Sequence, residues 1–171
     1  MHIRRYLAKD AAELSGIFRR AVRAIAPKDY SPTQVEAWAS RAPSAERIHA
    51  LYSDGRTALI ATDDGDRPIA FVDVEADGHI NMLYCAPEAA GAGIASALYD
   101  RIEEELRRRR VSCAYVEASE AARRFFLKKG FAVVARRELS IGEVPIHNYA
   151  MEKALLAPNL PDDLSGQPVR D

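Results

Sequence analysis

The sequence predicts a mixed α/β (α+β) domain, with a twisted, mostly antiparallel sheet of about six or seven strands and helices on both faces. Three observations carry that reading. Capped helical patterns come early in the chain. A meander of short apolar runs follows, joined by Asp63-Asp64-Gly65-Asp66 and Asp77-Gly78. A glycine-bearing turn then opens a long amphipathic helix, and a strand, a helix and two further strands close the pattern.

Residues 2–7 (HIRRYL) read as a first strand. Asp10-Ala-Ala-Glu13 has the spacing of a capping box, and Leu14, Ile17, Phe18, Ala21, Val22 and Ile25 keep helical period until Pro27. Ser31-Pro32-Thr33-Gln34 is a second capping box, with Pro at the first helical position, and opens a short helix through Val35 and Trp38. Ser44-Ala-Glu46 starts a third helical piece carrying Ile48, Leu51 and Tyr52. Residues 56–62, 68–76 and 79–85 form the meander, and the last of these is the central strand. Pro87 cannot continue a ladder, so that strand stops near Ala86. The long helix follows to about Arg110, with Ile94, Leu98, Ile102 and Leu106 as one apolar stripe and Glu103/Arg107, Glu104/Arg108 and Glu105/Arg109 as favourable pairs on the wet side. Arg107–Arg110 read as a solvated cationic helix end. Residues 111–117 make a strand parallel to the central one by right-handed crossover. A helix from Ser119 closes at Gly130, and strands 131–141 and 145–153 finish the sheet. One domain spans residues 1–153, followed by a tail over 154–171 whose prolines and lack of period are those of a poorly ordered end.

Composition narrows the function. Net charge is −1 at pH 7, so no global basic field draws nucleic acid. Apolar runs are too short for a membrane span and residues 1–10 lack the apolar core of a signal peptide. Cys85 and Cys113 both fall in expected strands and read as small buried hydrophobes of a reduced, cytoplasmic protein. His49 and His147 are scattered, and no His/Cys/Asp spacing suits a metal. Exposed strand edges allow a monomer or a homodimer.

The informative stretch is the central strand and the turn after it. Gly91 and Gly93 let backbone N–H groups approach something bulky, and the helix starts at once. Free N–H groups and the dipole at that start make an anion site. Gly91-Ala-Gly93-Ile-Ala-Ser96 nearly fits a dinucleotide fingerprint, with Glu117 about where a ribose-binding acid belongs. A dinucleotide fold, however, begins with its glycine turn, whereas here helices and a meander come first.

Over roughly residues 3–153 the chain instead resembles the GNAT superfamily of N-acetyltransferases. That family writes a strand, a Pro, then Gln/Arg-x-x-Gly-x-Gly/Ala into a helix. Ala90-Gly91-Ala92-Gly93-Ile94-Ala95 occupies the motif, with Ala90 in the leading place. The family's Asn-x-x-Ala-x-x-x-Tyr-x-x-x-Gly-Phe appears as Ser119-x-x-Ala122-x-x-x-Phe126-x-x-x-Gly130-Phe131. The resemblance implies a sheet splayed between its fourth and fifth strands beyond about Leu83, with the N–H groups of Leu83, Tyr84 and Cys85 freed to pair with the pantetheine arm of acetyl-CoA. The Leu83 N–H would face the developing oxyanion. Amides of Gly91, Ala92, Gly93, Ile94, Ala95 and Ser96 would hold the pyrophosphate. Ser119 replaces an Asn that touches the pantetheine, and Phe126 replaces a Tyr that protonates the departing thiolate.

For the chemistry, counting back by twos from Cys85 and Leu83 puts Asn81 and His79 on one face. His79 is the candidate base, directly or through water, and Glu75 the alternative. Tyr149, in the last strand, is the candidate acid. Tyr30, Trp38, Tyr52 and Arg56 are the aromatic and cationic residues available to an acceptor wall. The expected reaction is direct attack of a primary amine, on a small molecule or a peptide, on acetyl-CoA. The alternative is a non-catalytic acyl-CoA-binding or regulatory module, which the residues at Ala90 and Phe126 suggest.

Overall fold

The computed structural model describes residues 1–156. Strand β1 (His2–Arg5) leads through a short turn to helix α1 (Ala11–Ile25), followed by α2 (Pro32–Ala39) and α3 (Ala45–Tyr52). The meander is β2 (Thr57–Thr62), β3 (Pro68–Val74) and β4 (Ile80–Cys85). Then come α4 (Ile94–Arg108), β5 (Cys113–Ala118), α5 (Glu120–Lys128), β6 (Ala132–Ile141) and β7 (Val144–Ala154).

Local chemistry sets most of these boundaries. Ser31 and Gln34 cap α2 reciprocally, at 2.9 and 3.3 Å between side chain and backbone. Ser119 caps α5 by accepting from the Ala122 N–H at 3.3 Å. The box expected at Asp10 works differently. The Asp10 carboxylate takes the Leu7 N–H at 2.9 Å and both terminal nitrogens of Arg4, at 2.7 and 2.9 Å, so α1 starts without a side-chain cap. Asp10 is 2 % exposed, and a buried carboxylate is held by a charged fork in preference to one weak cap.

The strands form two antiparallel sheets, ordered β1-β2-β3-β4 and β5-β7-β6. Alternation along each strand feeds two cores. On one face Ile60 and Phe71 pack with Leu14, Ile17 and Phe18 of α1 and Ile48 of α3. On the other, Val72 and Val74 meet Leu98, Ile102 and Leu106 of α4, together with Phe126 and Met151. Those three α4 side chains are fully buried, and each contributes ~1.5–3 kcal/mol of apolar burial. The three expected ion pairs along α4 all form, at 2.7, 3.8 and 3.7 Å. Cys85 and Cys113 are free thiols, half-buried where full burial was expected.

The splay lies between β4 and β5, but starts earlier than residue 83. Among the described residues one parallel bridge, His79 to Tyr115, links the two sheets, and beside it the Tyr115 N–H donates to Gly78 O at 3.1 Å. Gly78 sits at φ +101°, and a Cβ there would lie 2.2 Å from Cys113 O, so only glycine lets the backbones meet. Just past the bridge β4 bulges. Asp73 pairs with Met82 and Val74 with Ile80, which leaves Asn81 as the extra residue. A bulge bends and over-twists its strand, turning β4 away from β5. Of the tail expected from residue 154, positions 157–171 lie outside the described residues. Leu155 before them is 2 % exposed and donates its N–H to Ser112 O at 2.8 Å.

Candidate active site

Where β4 and β5 part, a cleft of about 220 Å³ opens. Leu83 and Cys85 line it from β4, Val116 and Glu117 from β5, and Ser119 and Phe126 from α5 and its cap, with Tyr30 and Trp38 opposite. Strand parity decides which amides face it. Ala86 donates to Ile69 of the β3 edge at 2.8 Å, and Tyr84 and Met82 are in register with Phe71 and Asp73. Amide directions alternate along a strand, so the N–H groups of Leu83 and Cys85 turn to the gap. The expectation that all three amides from 83 to 85 are freed is therefore corrected: that of Tyr84 belongs to the β3 ladder. Its ring packs against Phe18 and Phe71 at centroid distances of 4.4 and 5.8 Å, and burial pushes its hydroxyl well above the ordinary tyrosine value.

The glycine turn lies at the C-terminal end of β4. Gly91 and Gly93 have φ of +81° and +78°, and a Cβ built on either would meet nothing within 4 Å. Gly93 is the N-cap of α4 and offers no side-chain cap. The first turn begins with the Ala97 N–H donating to Gly93 O at 3.0 Å, so the N–H groups of Ile94, Ala95 and Ser96 have no intrahelical acceptor. Ala95 also lines the cleft. Unpaired donors, the helix dipole and open space above two bare Cα atoms fit a diphosphate. Ala90 and Ala92 are exposed beside them and carry no polar side chain.

At the junction end, the His79 Nε2 is 2.6 Å from Glu117 Oε2 and Nδ1 is 3.5 Å from Glu75 Oε1. The imidazole stacks on Tyr115 with centroids 4.8 Å apart and planes 15° off parallel. Asp77 fixes both partners, accepting from the Tyr115 hydroxyl at 2.6 Å and from the His79 N–H at 3.1 Å. The Asp77 hydrogen bond pushes the Tyr115 hydroxyl up to about 12. An ionised carboxylate only accepts, so the Nε2–H donates to Glu117, while Nδ1 faces Glu75. Glu75 also pairs with Arg56 at 3.3 Å.

The other expected residues are placed unevenly. Ser119 is on the cleft wall, its oxygen accepting the cap hydrogen bond and its O–H still able to donate. Phe126, 1 % exposed, forms part of the floor and packs edge-on against Tyr99, Phe125 and Phe131. Tyr30 accepts from the Glu120 N–H at 3.1 Å and donates to His147 O at 3.2 Å, so it ties α5 and β7 to the wall. Tyr149 is not on that wall. Its hydroxyl donates to Glu120 at 2.6 Å, which raises its pKa, while the same bond helps hold the Glu120 carboxyl at about 2. Tyr52 and Arg56 are likewise drawn away from the acceptor wall, because the buried Asp73 claims them. The Tyr52 hydroxyl donates to its Oδ1 at 3.1 Å, and Arg56 and Asn81 donate to its Oδ2 at 3.0 and 3.1 Å.

Two features escape a residue-by-residue reading. Asn81 does not share a face with Leu83, since the bulge turns it to Asp73 on the α3 side. Glu117, weighed only as a ribose-binding acid, holds His79 while lining the cleft. A sequence signal did exist for Asp73: it is an acid inside the apolar run PIAFVDV, and such a residue is buried only with partners. Among the described residues, no group of three or more His, Cys, Asp or Glu side chains is placed to hold a metal ion.

Comparison with known proteins agrees with this architecture. Residues 26–153 match the family model for the acetyltransferase (GNAT) domain. The chain is 31% identical over 154 residues to an uncharacterized N-acetyltransferase, YafP, of Escherichia coli (strain K12), spanning 88% of this chain and 94% of that protein. A crystal structure of a GCN5-related N-acetyltransferase from Rhodopseudomonas palustris superposes with a TM-score of 0.82 at 35% identity, over 90% of this chain and 94% of that one. The PaiA N-acetyltransferase of Thermoplasma acidophilum, solved in complex with coenzyme A, shares the fold with a TM-score of 0.71 at 20% identity, over 90% and 98% of the two chains. The parted strands, the glycine turn and these matches together identify the chain as a member of the GNAT superfamily of N-acetyltransferases.

Proposed function

We propose that the protein transfers an acetyl group from acetyl-CoA to a primary amine by direct attack. The observation that carries this reading is the gap between β4 and β5, with the Leu83 and Cys85 N–H groups turned into it and the α4 glycine turn at its outer end. Acetyl-CoA supplies an activated thioester carbonyl. The amides of Gly91 to Ser96 hold the diphosphate, those of Leu83 and Cys85 pair with the pantetheine arm, and Ser119 donates to it. The Leu83 N–H faces the carbonyl oxygen as negative charge grows there.

A protonated amine cannot attack, so a proton acceptor is needed. Glu117 on the wall and His79 behind it, 2.6 Å apart, form one accepting pair, with Glu75 on the far side of the ring. Tyr149 lies off the cleft wall and keeps its proton, donating a hydrogen bond to the Glu120 carboxylate, so it takes no part in this step. Phe126 has no proton to give, and the thiolate leaves without one, because a thiol of ordinary pKa ~8.5 is a fair leaving group near neutrality.

Isothermal titration should show heat with acetyl-CoA, and thiol release should appear with an amine panel. His79→Gln and Glu117→Gln are each expected to cut turnover ~10²-fold with cofactor binding intact, and the double variant to be little worse than either. Cofactor heat without turnover on any amine would support the non-catalytic module that Ala90 and Phe126 suggest. Gly93→Val is expected to weaken acetyl-CoA binding more than ~10-fold, because its Cβ enters the open cradle. It also costs ~1–2 kcal/mol for a left-handed backbone, which a melting curve would register. Unchanged titration heat in that variant would remove the diphosphate from this turn.

A further inference from the structure

A second hollow lies on the α1 side of β4, an open groove of about 590 Å³. Trp38, Asn81 and Tyr84 line both this groove and the cleft, so the two are continuous at the bulge. The groove's far wall holds Arg41 and Arg47, with Leu51 and Met82 as its apolar floor. Many arginines of the chain are committed to carboxylates, as Arg23 is to Glu36 and Arg124 to Asp29. Among the described residues, Arg41 and Arg47 make no ion pair and no side-chain hydrogen bond. Glu46, next to Arg47 in the chain, makes no ion pair with it, and hydrogen bonding to its own backbone and Ser44 lowers its carboxyl pKa. At the opposite end Glu117 stands on the cleft wall, paired with His79 at 2.6 Å and Arg137 at 3.5 Å.

Building on the acetyltransferase reading, we propose that the acceptor is an amine that also bears an oxyanion group, a carboxylate or a phosphate, held by Arg41 and Arg47 while its nitrogen reaches the cleft past Asn81. Two guanidinium forks suit the planar or tetrahedral oxygens of such a group and repel a polycation. Unpaired cations at the outer end, and the Glu117–His79 pair at the inner one, match a molecule with an oxyanion at one end and an amine at the other.

Trp38 is the single tryptophan of the chain and sits where the two hollows join, so its emission reports occupancy independently of turnover. The test titrates the protein with a panel of N-acetyl amino acids, their matched amides, N-acetylphosphoethanolamine and N-acetylspermidine. Binding at least ~10-fold tighter for a carboxylate or the phosphate than for its neutral counterpart is expected, and which of the two wins identifies the anion. That preference should fall to near parity in R41Q/R47Q, both positions being exposed and free of contacts that folding needs. Equal or tighter binding of the amides or the polyamine, or a preference surviving in the double variant, overturns the proposal. Thiol release from acetyl-CoA with the parent amines is scored separately. Its absence with every amine would count against the transfer reading, whatever the Trp38 titration shows.

Discussion

Turnover is expected to fall ~10²–10³-fold when the Leu83 amide is replaced by a backbone ester, the loss seen when one preorganised oxyanion donor is removed. The ester keeps the Leu83 side chain, its packing beside α4 and its extended backbone, and deletes one N–H. Acetyl-CoA affinity should change by less than ~10-fold, because Cys85 and the glycine turn still hold the cofactor. The neighbouring position is the control. At Tyr84 the same exchange removes a donor that faces β3, in register with Phe71, so stability should drop by ~1 kcal/mol while turnover per folded molecule holds. Single-turnover kinetics and urea melts on the two esters separate these effects. A Leu83 ester with full turnover, or a Tyr84 ester with none, would move the oxyanion contact elsewhere.

What could be read in the chain, and what could not, follows from the range of each interaction. The Ser31/Gln34 box, the α4 stripe and the glycine turn are local, and the structure follows them closely. Asp10 marks the first limit: its spacing to Glu13 is that of a capping box, but Arg4, reaching across a turn, outcompetes the cap. Asn81 marks the second. A period-two count through β4 assumes an unbroken ladder, and one extra residue reverses the face of everything before it. The pairing of Glu117 with His79 crosses 38 positions and depends on two sheets meeting at Gly78, which no local pattern records. Tyr52 and Arg56 were legible as an aromatic and a cation near the acceptor side. Their actual partner, Asp73, is a buried charge on another strand, and its demand for neutralisation outweighs any role for them in an open groove.

That demand can be measured. Arg56→Leu is expected to lower unfolding free energy by about 3–5 kcal/mol, the cost of leaving a buried carboxylate without its cation. Asp73 is fully buried and Arg56 is 9% exposed, so solvent cannot take the cation's place. Burial is the leading cause holding the Asp73 carboxyl above its ordinary value, and Arg56 is the main group pulling it back down. Losing Arg56 lets that value climb further. A carboxyl whose folded pKa exceeds its unfolded one binds its proton more tightly in the fold, so stability declines as pH rises through the interval between the two. The penalty of Arg56→Leu should therefore be largest at neutral pH and shrink on mild acidification, as Asp73 becomes neutral. Adding Asp73→Asn to the same variant removes the charge at every pH. It should recover more than half of the loss, flatten its pH dependence, and keep the side-chain oxygen that Tyr52 donates to. Urea unfolding of the three variants across pH is the measurement. A loss below ~1 kcal/mol in Arg56→Leu, or one that grows on acidification, would mean that Tyr52 and Asn81 alone suffice to hold the Asp73 carboxylate.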